Sequence, residues 1–130
     1  MGNMCDECFE LFDDFYKFDV CPRRNCTGDV VHVDDLIQTA IQIINIKGYK
    51  TLFCCSSHDY DKYSSSYIKF DDEIDLPNIP EGFTYDGNSI IRKEIITTTI
   101  IDRYTEMCEN AKIMLQWALS LPVNPLMEAL

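Results

Sequence analysis

Three stretches decide how this chain folds: C-P-R-R-N-C-T-G at 21–28, V-V-H-V at 30–33 and L-F-C-C-S-S-H-D at 52–59. The first and last are short polar turns, each carrying soft metal ligands. Between them lies a strand signal, then an apolar helical pattern, then the strand-like Y-K-T-L-F at 49–53. A strand–helix–strand unit brings its connecting ends close, so ligands far apart in sequence are expected to converge. Cys21 and Cys26 from one knuckle, with Cys55 and His58 from the other, then make a closed Cys3His zinc site. Cys54 and Cys55 point to opposite sides of their strand, so one of the two ligates. Cys55 is the choice because two residues separate it from His58; Cys54 is the alternative, and His32 is a reserve imidazole. Four ligands leave no open position, so the zinc is expected to be structural and the chain not an enzyme.

Working outward from this unit, residues 3–17 read as a helix capped by Asn3. Cys5, Cys8, Phe9, Phe12, Phe15 and Tyr16 share one face at helical spacing. Cys5-x-x-Cys8 has the spacing of a zinc half-site or a redox motif. On that helix, both thiols instead join the apolar stripe and read as small core residues. The opposite face is acidic, with Asp6, Glu7, Glu10, Asp13 and Asp14. Downstream, Asp34 or Asp35 caps a helix whose stripe is Leu36, Ile37, Ala40, Ile41 and Ile44, and Gly48 stops it. Strands are expected at 49–54 and 67–70, and a hairpin turns at Asp86-Gly87-Asn88. A last helix from about Thr99 to Leu121 carries the seam Ile101, Tyr104, Cys108, Ala111, Leu115 and Ala118, and ends before Pro122.

The fold class is α+β: an N-terminal helix, a zinc-stapled β-α-β unit, a small sheet with a hairpin, and a long C-terminal helix. All 130 residues form one domain, with the acidic helix at 1–20, the stapled core at 21–96 and the last helix at 97–122. The chain has seven cysteines and no export signal at its start, so a reducing cytoplasm and thiol or metal chemistry are expected rather than disulfides. No run of apolar residues is long enough to span a membrane. The formal net charge of −11 repels phosphates and disfavours direct nucleic-acid binding. It suits a protein partner with a basic surface. The densest acidic groups are Asp71, Asp72, Glu73 and Asp75, and the pair Asp13 and Asp14 on the first helix. These six are the expected partner contacts, with aromatics near Tyr60 and Tyr63 as the other candidate surface.

The segments C-P-x-x-x-C-x-G-D-V-V-x-V-D-D-L, K-G-Y-K-T-x-x-C-C-S-S-H, Y-I-K-F-D and L-P-x-I-P-E-G-F run through roughly residues 21–94. Together they resemble small proteins of Gram-positive bacteria and their phages with a Cys-Cys-Ser-x-His element. They also look like a phage anti-CRISPR metalloprotein acting on type II-A RNA-guided nucleases. Two departures stand out: the first knuckle is two residues longer, and Ser57 takes the place of a glycine. The resemblance implies zinc bound by Cys21, Cys26, Cys54 or Cys55, and His58. It also implies an inhibitor, working in the cytoplasm of the bacterial host, that blocks loading of target DNA onto such a nuclease. A host regulator with an unrelated partner, or a metal-dependent hydrolase, are the alternatives. The hydrolase lacks the H-x-E with P-C-x-x-C pattern of zinc deaminases and any phosphate loop.

Overall fold

In the computed structural model, residues 2–12, 19–55, 65–71, 74–93 and 99–125 are described. The class is α+β, as expected: the described residues form two antiparallel sheets, two α-helices and one 3-10 turn. The first sheet holds β1 (Gly2–Cys5), β2 (Leu11–Phe12) and β3 (Val30–Val33) in the order β2-β1-β3. After β3 come a 3-10 turn at Asp35–Ile37 and α1 (Gln38–Ile46). The second sheet holds β4 (Thr51–Cys55), β5 (Ser65–Phe70), β6 (Thr84–Asp86) and β7 (Ser89–Lys93) in the order β4-β5-β7-β6. The last described element is α2 (Ile100–Ser120).

Several local signals act as chemistry dictates. Asp34 accepts the Leu36 N–H at 3.1 Å and starts the helical segment. Gly48, at φ 97°, ends it in the left-handed region that glycine alone enters freely. Ile37, Ala40, Ile41 and Ile44 are all buried on the inner face. Gly87, at φ 60°, turns the β6–β7 hairpin in the expected place. Thr99 caps α2 by accepting the Asp102 N–H.

Three expectations are corrected. Residues 3–12 are not helical. They form β1, a tight turn at Asp6–Cys8, and β2, with Asn3 facing Phe12 across the pair. The i, i+3 spacing of Cys5 and Cys8 is common to a helix face and a metal-binding hairpin, so periodicity could not separate them. The backbone decides, with Phe9 at φ 62°, outside any right-handed helix. Residues 13–17 of the expected helix, including Asp13 and Asp14, lie outside the described residues. The second correction is topological: β3 and β4 belong to different sheets, so the strand–helix–strand segment links two sheets instead of forming a unit within one. The third is the face of α2. Its buried seam is Met107, Ala111, Met114, Trp117, Ala118 and Leu121, whereas Ile101 and Tyr104 are exposed.

One apolar cluster ties the elements together. It takes Met4 and Val33 from the first sheet, Ile68, Phe70 and Ile90 from the second, and the inner faces of α1 and α2. Phe70 and Trp117 meet edge to face, with ring centroids 6.4 Å apart. Trp117 donates its indole N–H to Asn78 at 2.6 Å, so its polar end is satisfied where its rings are buried. At one end of the core, the Lys47 ammonium donates to the carbonyls of Ala118, Leu119 and Leu121 at 2.7, 2.8 and 2.6 Å. These are the terminal acceptors that an α-helix cannot satisfy internally.

Candidate metal centre

The β1–β2 turn brings Cys5 and Cys8 to one side, and the loop before β3 brings Cys21 and Cys26 to meet them. The Sγ atoms of these four cysteines all lie within 4.8 Å of one another. Cys5 and Cys26 are 3.6 Å apart, and Cys8 and Cys21 are 3.8 Å apart. A disulfide would need about 2.05 Å, and none of the seven cysteines is in one. A tetrahedron with metal–sulfur bonds of about 2.3 Å has sulfur–sulfur edges of about 3.8 Å. The cluster therefore has the size of a four-sulfur coordination shell, and can hold one metal ion.

Local backbone supports the same arrangement. The N–H groups of Glu7 and Cys8 donate back to Cys5 Sγ at 3.4 and 3.5 Å. Such donors stabilise sulfur in its anionic, metal-ligating form. Phe9 N–H closes the turn on the Cys5 carbonyl at 3.1 Å. In the second loop, Cys26 N–H bonds the Arg23 carbonyl at 3.1 Å, and Asn25 takes the left-handed conformation at φ 67°. Asparagine tolerates that conformation better than most residues. Gly28 is also fixed by the sulfur cluster: a Cβ there would collide with Cys5 Sγ, and would sit 3.0 Å from Glu7 Cβ.

The acidic residues expected to form a solvated helix face instead lace the two loops together. Asp6 accepts the Asp29 N–H at 2.9 Å, and Glu7 accepts the Thr27 hydroxyl at 3.1 Å. Glu10 pairs with Arg23 at 3.4 Å, an exposed contact worth little by itself. The Arg23 guanidinium is held in its charged form chiefly by its bond to Cys8 sulfur, then by the nearby charges of Cys8 and Glu10. It lies beside a centre that four thiolates and a divalent ion would leave doubly negative.

The thiols differ in acidity. Burial pushes Cys21 up to about 12, and the neighbouring thiols add to this. Cys26 is also raised: burial and its bond to Cys5 outweigh the Gly28 backbone donor that favours its anion. For Cys8, burial acts upward too, but the Glu10 backbone and the other three sulfurs together bring it down to about 7. One sulfur thus ionises near neutrality, and its negative charge resists ionisation of the next.

The cluster joins Cys21 and Cys26 to Cys5 and Cys8, two thiols expected in an apolar core stripe. Cys54 and Cys55 sit on β4 in the other sheet, and His58 lies outside the described residues. There is a physical reason for the difference. Even in a parallel strand–helix–strand unit, the residues before the first strand and those after the second lie at opposite ends. Only neighbouring ends converge. Cys54 is packed against the core, where burial raises its thiol above the usual range. His32 bonds Asn3 through Nδ1 at 2.8 Å, within the first sheet. Cys108 is half-buried on α2. Of the expected partner contacts, Asp71 is half-buried and Asp75 exposed. Asp72, Glu73, Asp13, Asp14, Tyr60 and Tyr63 fall outside the described residues.

No family model matches the chain, and no curated protein or solved structure shows significant similarity to it. Among the described residues, no helix is long and apolar enough to cross a membrane.

Proposed function

We propose that this chain is a zinc-stapled binding protein without catalysis, whose acidic surface engages a basic protein partner. The observation that carries the reading is the four-sulfur cluster of Cys5, Cys8, Cys21 and Cys26. Thiolates select a soft or borderline ion, and a tetrahedral set of four sulfurs suits zinc. With all four positions filled by protein, the ion has no place for water or substrate, and its role is to hold two loops together. The net charge of −11 supplies the attraction for a basic partner. The partner class implied by the resemblance is an RNA-guided nuclease, whose guide–target duplex lies in a positively charged channel. An acidic protein seated there excludes target DNA.

Two measurements test this in order. Elemental analysis of the purified chain should find about one zinc per molecule. Cys8→Ser should lose it and Cys55→Ser should keep it; metal retained by Cys8→Ser would overturn the site. The intact chain should then co-purify with a type II-A nuclease and reduce its retention of target DNA in a filter-binding assay. Undiminished DNA retention with excess inhibitor would remove the nuclease as the partner and leave the staple standing.

A further inference from the structure

A groove of about 480 Å³ runs between the two sheets, where β3 is the last strand of one and β4 the last strand of the other. Its floor is α1, through Ile41 and Asn45. Its walls are the outer edges of the two strands. In β3, Val31 pairs with Met4 and Asp29 accepts from Asp6, so alternate residues turn their backbone groups toward β1. His32, the next residue after Val31, turns its N–H and C=O outward, whereas the outward N–H of Val30 is taken by the Asp19 carbonyl at 2.8 Å. In β4, Phe53 and Cys55 pair with Lys69 and Tyr67, which leaves the Cys54 backbone turned outward too. Both residues line the groove. Outward-facing backbone groups on strand edges are the template for addition of another strand.

We propose that this groove is the docking site for an extended segment of a partner protein in which apolar and basic side chains alternate. Strand side chains point alternately to the two faces, so a strand seated here sends every second residue down onto Ile41 and the rest toward the rim. The exposed apolar residues of the groove match that use. Phe53 is 63% exposed, and Val31 and Leu52 are also exposed beside it. The rim is acidic: Asp6 and Asp34 stand against the single cation Lys50 among the described lining residues. That sign, and a chain charge of −11, favour a basic segment and disfavour a second copy of this chain. The proposal rests on the reading of the chain as a binding protein and names where and how it binds.

The test is selection of a random ten-residue peptide library on the metal-loaded chain. Enriched peptides should alternate Lys or Arg with Val, Ile or Leu. A synthetic copy of the best one should slow hydrogen exchange at the His32 and Cys54 amides. Val31→Ser combined with Phe53→Ser removes the apolar contacts without changing charge and should weaken it at least tenfold, with metal content and melting unchanged. Asp6→Asn with Asp34→Asn keeps the side-chain acceptors but removes two charges, and should weaken it about threefold. Peptides that bind with protection elsewhere, or that ignore both double substitutions, overturn the groove while the binding-protein reading survives. Enrichment of acidic or unpatterned peptides overturns the stated chemistry. Protection of His32 and Cys54 that grows with protein concentration alone would assign the groove to a second copy. No enrichment at all would sink the proposal.

Discussion

Gly28 and the four sulfurs show how closely single atoms govern this centre. A methyl group at Gly28 would meet Cys5 Sγ, and its other neighbours, Glu7 Cβ at 3.0 Å and Asp6 Oδ1 at 3.1 Å, belong to the same tight turn. Gly28→Ala should therefore cost about 1–3 kcal/mol, the usual range for overpacking. Chemical denaturation of the metal-loaded protein measures this. Metal affinity, read by competition with a chromophoric chelator, should fall with it; an unchanged affinity would mean that the loops adjust freely. Protons give a second handle. Cys21, at about 12, and Cys26, also raised, hold their protons at neutrality, while Cys8, at about 7, is about half ionised. A bound ion demands thiolate, so ligation depresses each thiol pKa below its value in the metal-free chain. The stabilisation from the metal is thus present above the metal-free values, and declines as pH falls through the depressed ones. Calorimetry in two buffers of different ionisation enthalpy should record release of at least two protons per metal at neutral pH. Affinity should rise as pH rises. Release of fewer than one proton would argue that the sulfurs are not the ligands.

At the scale of elements, what reads directly from sequence is what local chemistry controls. The Asp34 cap, the Ile37–Ile44 stripe, the Gly48 stop and the Gly87 turn are each set by neighbours within a few residues, and each is found where the sequence places it. Pairing between distant segments is another matter. Nothing local tells residues 3–5 that Val31 and His32 will form a ladder with them, or that Cys5 and Cys8 will find Cys21 and Cys26. Half of the four-sulfur cluster was legible as ligand-bearing sequence, because Cys21 and Cys26 stand in a polar turn. The other half was disguised by a spacing that two structures share. The face of α2 was misread for a related reason. Its sequence offers two apolar stripes, and packing against α1 and Phe70 selects the one with Met114 and Trp117. Lys47 secures that choice through three carbonyls at the end of α2. Its positive charge also complements the negative end of the helix dipole. Lys47→Met keeps most of the apolar stem and removes the donor, so it should cost about 1.5–3 kcal/mol, the range for hydrogen bonds to a charged group. Urea unfolding of the metal-loaded protein tests this. A loss below about 0.5 kcal/mol would show that water replaces the ammonium without penalty.

Over the whole molecule, two forces act in opposite directions. Twenty-two carboxylates against eleven Lys and Arg residues leave a charge that repels itself and opposes compaction. The core holds the fold against that repulsion, and a metal at the four-sulfur cluster would add a staple between the β1–β2 turn and the loop before β3. Removing the staple should expose the imbalance. A chelator should lower the melting temperature, and added salt should recover part of the loss by screening the carboxylates. Differential scanning calorimetry of the chelated protein at low and moderate salt checks this. An equal melting temperature at both would mean that self-repulsion contributes little. The same charge speeds encounter with a basic partner, and that rate should fall as salt rises. The two responses separate the two roles of charge, since salt should strengthen the chelated fold while weakening the complex. Reversal of Asp71, Asp72 and Glu73 to Lys extends the argument to a defined patch. It should reduce the association rate constant several-fold in surface-plasmon measurements with a basic partner, leaving the dissociation rate nearly unchanged. An unaltered association rate would assign this patch to solubility and leave recognition to the groove between β3 and β4.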